Sequence, residues 1–461
     1  MNWIEKAFLS AMTAGILLPL CCFNWKRDSV SPIDNRRLSE LDFDSGDVSS
    51  MLDSFFKDRI GFRTLCIDAY TQWNDILFGE MAHPTYEYGR DGYVFFKVKA
   101  EQEDREFIDA FCAHLRNVQE YCENRNIPFI YCINPAKTTI YHRYLPSGYT
   151  YRNYFLQYLY QKLKEYNINY ISNVELLEEK SLEEQVFNVK YDAGHWNDQG
   201  CFYGTSHLLE KISEYFPGVR PYLPDDFICS WREEESLPAS HFRIREMAPY
   251  FANPAEGGIT EKTAEFSSVR LNENYPGFGV YKNENPGSRQ LPRVLFFHGS
   301  YYNSRIRFYD TSFQETYRVH NYENLIDFDY YFNLFQPECV ILETAEYATT
   351  RNYFNIDKLK AKRLNPPLSQ VMHTPHDSYG LQELSCHTER QDGITTIEIN
   401  LHSAQEDITE YDFGYLVMGE YVFDLELDGE RAVCAAASEY AADSAFDSAR
   451  VELFVKQGDE D

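Results

Sequence analysis

The central part of the chain alternates between segments with helical periodicity and short continuous apolar runs. Apolar side chains spaced three or four residues apart predict three helices, over residues 101–124, 154–166 and 198–215. Asn197 directly precedes the third of these helices and is a suitable N-cap residue. Apolar runs of strand length lie between or after them, at residues 128–133, 169–171, 293–297 and 339–343. Strands that alternate with helices predict an α/β fold with a parallel sheet and helices on both of its faces.

The regions around this alternation have other patterns. Residues 217–292 lose helical periodicity and are rich in Gly, Pro and Asn, which predicts an irregular insertion with short strands. Period-two alternation predicts strands near the C-terminus, at residues 394–401, 415–427 and 450–455. Upstream, residues 29–50 are polar and predict a tether, and residues 48–78 predict a single helix.

We divide the chain into four parts from these patterns. They are an N-terminal apolar segment, a tether with a helical segment, an α/β domain that contains the insertion at 217–292, and a small β-sandwich-like module. Their predicted boundaries are 1–27, 28–85, 86–368 and 369–461.

The N-terminal segment is an apolar run, AFLSAMTAGILLPLCCF, at residues 7–23. Its length is near the lower limit for a membrane span and also suits the apolar part of a signal peptide. We expect an uncleaved signal anchor because no small-x-small cleavage site follows the run; a cleaved signal peptide and a buried helix are the alternatives. Positive charges flank it on both sides, so they do not determine its orientation.

Composition narrows the classes of partner. The chain has 461 residues and a formal net charge of −29, which disfavours binding to nucleic acid and to anionic lipid surfaces. It also disfavours a strongly anionic polymer as a substrate. The 36 Tyr and 33 Phe are compatible with carbohydrate stacking, although such residues also fill cores. A neutral or weakly charged glycan is the favoured partner.

Two short segments contain the residues of a serine acyl-transfer site. YDAGHWN at 191–197 contains Asp192 and His195, and FFHGSY at 296–301 places Ser300 after a predicted strand. The predicted roles are Ser300 as nucleophile, His195 as general base and Asp192 as the carboxylate that orients the imidazole. Side chains that follow parallel strands collect at the carboxyl edge of the sheet, so these groups are expected to converge.

Four further residues are candidate contacts for the substrate or the oxyanion. For each of them, the alternative is that the side chain only stabilises the fold. They are His298, Tyr301, Asn303 and Lys137. His298 also competes with His195 for the role of base, because it lies two positions before Ser300 and would be on the same side of an extended segment. The spacing of Asp192, His195 and His298 fits no common metal site, and no cofactor is predicted.

With these residues placed, residues 30–350 resemble the SGNH-type, alginate O-acetyltransferase-like family of polysaccharide acetylation proteins. The segments that carry the resemblance are NRRL at 35–38, DRIGFR at 58–63, GRDGYVFF at 89–96, PAKTTIY at 135–141, DAGHWN at 192–197, GSY at 299–301 and PECVILETAE at 337–346. The sequence differs from the family in its Asp192-x-x-His195 spacing and in having no counterpart of the Gly-x-Asn-Asp segment that supplies an oxyanion asparagine; Asn303 is a loose candidate.

The resemblance implies an SGNH-like sheet, a Ser300–His195–Asp192 triad and transfer of acetyl groups to an exported polysaccharide. It also implies a periplasmic or cell-surface location and a membrane-bound O-acyltransferase that supplies the acetyl group. Two alternatives remain open: a carbohydrate acetylesterase with the same triad, and a non-catalytic protein that binds glycan through its C-terminal module.

Overall fold

The computed structural model describes residues 2–26, 31, 33, 38–41, 48–97, 104–238, 240–401 and 411–455. The tether predicted over residues 29–50 lies mostly outside these residues. The helices are α1 (Trp3–Cys21), α2 (Val48–Arg59), α3 (Arg63–Phe78), α4 (Arg105–Glu123), α5 (Lys137–Ile140), α6 (Tyr154–Glu165), α7 (Val174–Lys180), α8 (Asp198–Ser213), α9 (Phe328–Phe335), α10 (Ile356–Ala361), α11 (Leu368–Val371) and α12 (Asp443–Phe446).

The strands fall into two large sheets and two hairpins. They are β1 (Tyr86–Tyr88), β2 (Val94–Phe96), β3 (Phe129–Asn134), β4 (Tyr170–Ser172), β5 (Ile228–Ser236), β6 (Arg243–Ala252), β7 (Ile259–Glu261), β8 (Phe278–Asn283), β9 (Arg293–His298), β10 (Glu315–His320), β11 (Cys339–Ala345), β12 (His376–Gly380), β13 (Ser385–Gln391), β14 (Ile394–Asn400), β15 (Tyr411–Met418), β16 (Tyr421–Asp428), β17 (Arg431–Ala437) and β18 (Arg450–Val455). The three central helices and four central strands predicted from periodicity are thus confirmed to within a few residues.

The main sheet has seven strands in the order β4-β3-β11-β9-β10-β8-β7. The five strands from β4 to β10 are parallel to one another. The last two come from the region predicted as an irregular insertion; β8 pairs antiparallel with β10, and β7 pairs antiparallel with β8. The expectation of a parallel sheet was therefore wrong for this edge, and the sheet is mixed. Strand β8 of the insertion pairs with the backbone N–H and C=O groups of β10, which would otherwise be an unpaired edge of the sheet.

Helices cover both faces of this sheet, as the alternation predicted. Phe297 of β9 packs against Phe328 of α9, with ring centroids 6.1 Å apart. The adjacent Phe296 points to the opposite face and contacts the ring of Tyr302 at 5.3 Å. The Tyr302 hydroxyl lies 3.1 Å from that of Thr205 in α8. Every residue of β9 from Val294 to His298 is buried, as expected for a strand covered on both sides.

The segment predicted as one helix over residues 48–78 is instead two helices, α2 and α3, with a break at Ile60–Phe62. A Cβ atom on Gly61 would lie 2.6 Å from Cys22 Cβ and 2.7 Å from the Pro19 carbonyl oxygen at the end of α1. Phe62 then has a φ of 63°, in the left-handed region. The break is set by this close approach to α1, which periodicity within residues 48–78 does not record.

The C-terminal strands form a seven-stranded antiparallel sheet in the order β12-β18-β15-β16-β17-β14-β13. Hydrogen-bonded pairing is continuous from one edge to the other, so this is one curled sheet around its own apolar core rather than two stacked sheets. The segment predicted to alternate over residues 415–427 is a hairpin, because Gly419, with φ of 60°, allows a tight turn between β15 and β16.

The N-terminal apolar run forms α1, a helix of 19 residues with a mean hydropathy of 1.4 and no buried residue. Its length and composition are sufficient for it to cross a membrane, and a signal sequence has the same properties.

Candidate active site

The carboxyl edge of the main sheet brings Asp192, His195 and Ser300 together. Ser300 lies two residues after the end of β9, and the other two residues lie in the loop before α8. His195 Nε2 is 2.8 Å from Ser300 Oγ. His195 Nδ1 is 2.9 Å from Asp192 Oδ2 and 3.0 Å from Asp192 Oδ1. This is a continuous carboxylate–imidazole–hydroxyl chain in which the imidazole could accept the serine proton.

The Asp192 backbone is held in an unusual conformation that brings its carboxylate back onto the following residues. Its φ is 58°, in the left-handed region. Oδ1 accepts hydrogen bonds from the backbone N–H groups of Gly194, at 3.1 Å, and His195, at 3.0 Å. Burial alone would raise the pKa of Asp192, but the charge of His195 and these N–H donors lower it below its usual range. The carboxylate is therefore ionised and fixed against the imidazole.

Two ionisable side chains hold the loop that carries Asp192. The Lys137 side-chain nitrogen, whose pKa is lowered to about 7 by burial, donates to the carbonyl oxygens of Val94 at 2.7 Å, Val189 at 3.0 Å and Asp192 at 3.4 Å. From the other side, the Glu246 carboxylate of β6 accepts the consecutive backbone N–H groups of residues 189–191, at 2.6, 2.7 and 2.7 Å. The loop is thus anchored through both its carbonyl and its amide groups, immediately before the carboxylate that orients His195.

A buried carboxylate beneath the turn fixes the serine. Glu343 of β11 accepts the Gly299 backbone N–H at 2.7 Å and the Asn134 side-chain amide at 2.8 Å. Burial raises the pKa of Glu343 to about 7, although both hydrogen bonds and the charge of His195 oppose that rise. Glu343 thus holds the backbone of the residue directly before Ser300.

Tyr347 lies over the serine–histidine pair. It follows the end of β11 by two residues, and its hydroxyl oxygen is 3.4 Å from His195 Nε2. The phenol also interacts with the Ser300 hydroxyl, and desolvation of its oxygen raises its pKa, although 36% of the residue is exposed. Among the described residues, no acceptor bonds the backbone N–H of Ser300. A phenol and an N–H thus lie next to the Ser300 hydroxyl, where an oxyanion formed on attack by that hydroxyl would need donors.

The structure places the other predicted contact residues less directly at the site. Tyr301 is fully buried, and its hydroxyl donates to the carbonyl oxygens of Pro135 and Gly194 at 2.6 and 2.8 Å. His298 is buried with Nδ1 2.8 Å from the Gly299 carbonyl oxygen, and burial lowers its pKa well below the ordinary value. Asn303 is exposed beyond the turn. Lys137 is 1% exposed, and the carbonyl oxygens described above use its donors.

Sequence reasoning did not identify Tyr347 or Glu246 as residues of the site. Tyr347 belongs to the same post-strand segment as Glu346, so its position at the carboxyl edge was a usable signal. Glu246 had no such signal, because it lies in β6 of the insertion, more than fifty residues from the loop that it holds.

No protein-family model matches this sequence, and a search of curated proteins finds no match either. Solved structures to which the chain is similar include Bacillus cereus PatB1, at 16% identity and a TM-score of 0.44, covering 57% of this chain and 96% of PatB1. The O-acetyltransferase domain of Pseudomonas putida AlgJ is similar at 16% identity and a TM-score of 0.42, covering 61% of this chain and 100% of the domain. Pseudomonas aeruginosa AlgX is similar at 11% identity and a TM-score of 0.39, covering 81% of this chain and 92% of AlgX. One of these structures, that of AlgJ, is named as an O-acetyltransferase domain, the class of protein that the sequence resembles.

Proposed function

We propose that the chain is an SGNH-type O-acetyltransferase that uses Ser300, His195 and Asp192 to acetylate an exported or cell-surface polysaccharide. The observation that supports an acyl-transfer reaction is the hydrogen-bonded chain from Asp192 through His195 to Ser300, with contacts of 2.9 and 2.8 Å. The acetyl group and the polysaccharide acceptor come from the sequence resemblance, since the geometry specifies neither.

In the first half of the proposed reaction, His195 Nε2 accepts the proton of Ser300 as Oγ attacks the acetyl carbonyl carbon of a donor. The proton on Nε2 then passes to the leaving group as the carbonyl re-forms, which yields an acetyl-serine and the deacylated donor. Asp192 keeps Nδ1 protonated and stabilises the imidazolium between the two proton transfers.

In the second half, a sugar hydroxyl gives its proton to His195 Nε2 and its oxygen attacks the acetyl-serine. The tetrahedral intermediate collapses, the proton returns to Ser300 Oγ, and the acetylated sugar leaves. We assign the Tyr347 hydroxyl and the Ser300 backbone N–H as the donors that stabilise the oxyanion in both halves, because they lie beside the nucleophile. Tyr347 would fill the role for which the sequence offers no asparagine.

The proposal places the enzyme outside the cytoplasm, attached to the membrane by α1 as a signal anchor. A membrane-bound O-acyltransferase would supply the acetyl group across the bilayer, as the family resemblance implies. The net charge of −29 favours a neutral or weakly charged acceptor, because like charges would slow encounter with a polyanion.

The test is the formation and fate of the acetyl-serine. Full-length protein in detergent, wild type and Ser300→Ala, is exposed to an activated acetyl ester and followed by intact mass with and without a neutral oligosaccharide. We expect an adduct of one acetyl group in the wild type alone, which is lost faster with the sugar than in water.

Other outcomes would redirect the proposal. An adduct that is lost equally fast with and without the sugar would indicate an acetylesterase. Equal labelling of wild type and Ser300→Ala would exclude Ser300 as the nucleophile, and glycan binding by the C-terminal module would then be the function to examine.

A further inference from the structure

The polarity of α3 is inverted relative to a helix packed on a water-soluble domain. The residues of α3 that are buried against the protein are Asp68 and Thr71. Its exposed side chains are almost all apolar or aromatic: Leu65, Cys66, Ala69, Tyr70, Trp73, Ile76, Leu77 and Phe78. Trp73 is 69% exposed and Ile76 is 80% exposed. We call this set of exposed residues the outer face of α3.

Specific hydrogen bonds hold the polar face of α3 inward. Asp68 accepts the Ser240 hydroxyl at 2.7 Å and the His241 backbone N–H at 3.0 Å. Thr71 donates to the Ala82 carbonyl oxygen at 3.3 Å, and Gln72 donates to the His241 carbonyl oxygen at 3.2 Å. These bonds fix the rotation of the helix, so the outer face cannot turn toward the core without breaking them.

The outer face begins where the apolar helix α1 ends. The Gly61 backbone N–H donates to the Pro19 carbonyl oxygen at 3.0 Å, and the Asn24 N–H donates to the Arg59 carbonyl oxygen at 2.9 Å. Phe23 packs against Phe56, with ring centroids 5.6 Å apart. The C-terminal end of the candidate membrane span is therefore held at the turn from which α3 starts.

We propose that the outer face of α3 lies in the boundary between headgroups and acyl chains of the bilayer that α1 enters. A helix of 16 residues, about 24 Å long, with an apolar outer stripe that includes Trp and Tyr is suited to lie in the plane of that boundary. None of the outer-face residues is charged, so the contact is hydrophobic and does not require anionic lipid. This inference rests on the membrane anchor in the proposed function and adds a second membrane contact.

Such a contact would also set the height of the active site above the bilayer. The chain runs from α3 into the β1–β2 hairpin, and Phe96 at the end of β2 packs against the loop of the site. A Cβ atom on Gly194 would lie 2.5 Å from Phe96 Cε2. With two membrane contacts, α1 and α3, the α/β domain would have one orientation relative to the bilayer. With α1 alone, the domain would be free to rotate about the axis of α1.

The test uses the full-length chain in nanodiscs of zwitterionic phosphatidylcholine, with and without bromine on the acyl chains. Bromine quenches tryptophan emission only at short range, and the contribution of Trp73 is the difference between wild type and Trp73→Phe. We expect bromine to reduce that contribution at least about twofold. Trp231→Phe is the matched control, because Trp231 is 63% exposed on β5, and its contribution should not change.

Trp25→Phe reports the anchor separately, because Trp25 follows the end of α1. Quenching of Trp25 without quenching of Trp73 would keep the anchor and overturn the second contact. No quenching of either would overturn both. A third outcome would also overturn the inference. If Trp73 were shielded from an aqueous quencher only in nanodiscs that hold two copies of the protein, the outer face would be the interface of a protein dimer. Acylation of Ser300 in the same discs is an independent readout of the proposed function.

Discussion

Asp192 and Glu343 are both carboxyl groups of the site, yet their surroundings shift their pKa values in opposite directions. Asp192 faces His195 and two backbone N–H donors, so its pKa is lowered despite burial. Glu343 is fully buried with two neutral donors, and burial raises its pKa to about 7. Asp192 is therefore suited to stabilise an imidazolium, whereas Glu343 gains or loses its proton near neutral pH.

The raised pKa of Glu343 predicts a specific pH dependence of stability. Between pH 4.5, the ordinary pKa, and about 7, the folded protein holds this proton and the unfolded chain releases it, so the contribution of Glu343 to stability falls as pH rises. Glu343→Gln should remove this dependence. The difference in the free energy of unfolding between the variant and the wild type should therefore change by up to about 3 kcal/mol between the two ends of that pH range. Urea unfolding at several pH values measures it. Glu420→Gln, in the exposed β15–β16 turn, should follow the wild-type pH profile, and an unchanged profile in Glu343→Gln would contradict the assignment.

The position of Tyr347 predicts a kinetic effect. Tyr347→Phe removes the hydroxyl and keeps the ring, so kcat for acetyl transfer should fall by about 100-fold with little change in KM, because the donor acts on the transition state. Steady-state kinetics on an activated acetyl ester measures both parameters. Tyr149→Phe, a change at an exposed tyrosine, should retain wild-type values. If Tyr347→Phe raised KM and left kcat unchanged, the phenol would contact the substrate rather than the oxyanion.

At the scale of elements, the β5–β6 hairpin supports the loop that carries Asp192 and His195 from outside the main sheet. Its Glu246 accepts three consecutive N–H groups at residues 189–191, and Lys137 of α5 binds the carbonyl oxygens of Val189 and Asp192 in the same loop. The insertion is therefore part of the site architecture. Its strands β7 and β8 also complete the edge of the sheet.

Substitution of Glu246 tests this role in positioning. Glu246→Gln places a donor where the loop also presents donors, so the loop should shift and acylation of Ser300 should slow by about tenfold. Stopped-flow acylation measures the rate, and the midpoint of thermal unfolding checks that the fold persists. Glu233→Gln is the matched control, because Glu233 lies on the same hairpin and pairs with Arg245 at the surface, at 2.8 Å. Equal acylation rates in the two variants would mean that Glu246 does not position the site.

At the scale of the whole molecule, buried polar contacts join the C-terminal sheet to the α/β domain. Asn333 of α9 donates to the Asp424 carbonyl oxygen at 2.9 Å and accepts the Asp424 backbone N–H at 3.1 Å. The Asp424 carboxylate also accepts the Tyr121 hydroxyl at 2.9 Å and pairs with Arg125 at 3.4 Å. Contacts this specific indicate a fixed arrangement of the two parts rather than a flexible tether.

Asn333→Ala should weaken this junction. It leaves the backbone N–H and carbonyl of Asp424 buried without their partner, at a cost of about 1–3 kcal/mol. Urea unfolding should give one cooperative transition in the wild type and a lower midpoint, or two separate transitions, in the variant. Asn274→Ala, at an exposed position, should behave as wild type. A wild-type midpoint in Asn333→Ala would mean that the two parts fold without help from this contact.

Local patterns in the sequence determined the helices and strands of the central alternation, since their periodicity reflects which face of each element is buried. They also identified the three residues proposed as a triad, because a strand followed by a serine turn and an Asp-x-x-His segment are readable in short windows. The N-cap at Asn197 is equally local, and its side chain accepts the Gly200 N–H at 3.0 Å.

Tertiary structure alone decided the features that depend on contacts between distant segments. The break at Gly61 follows from the approach of α1, the antiparallel edge follows from the return of the insertion, and Glu246 reaches the loop of Asp192 and His195 from β6. A local window records the burial and propensity of its own residues, but it has no signal for which other segment satisfies its hydrogen bonds or fills the adjacent space. The support of the candidate site was therefore determined by the fold, while the residues proposed to react were already visible in the sequence.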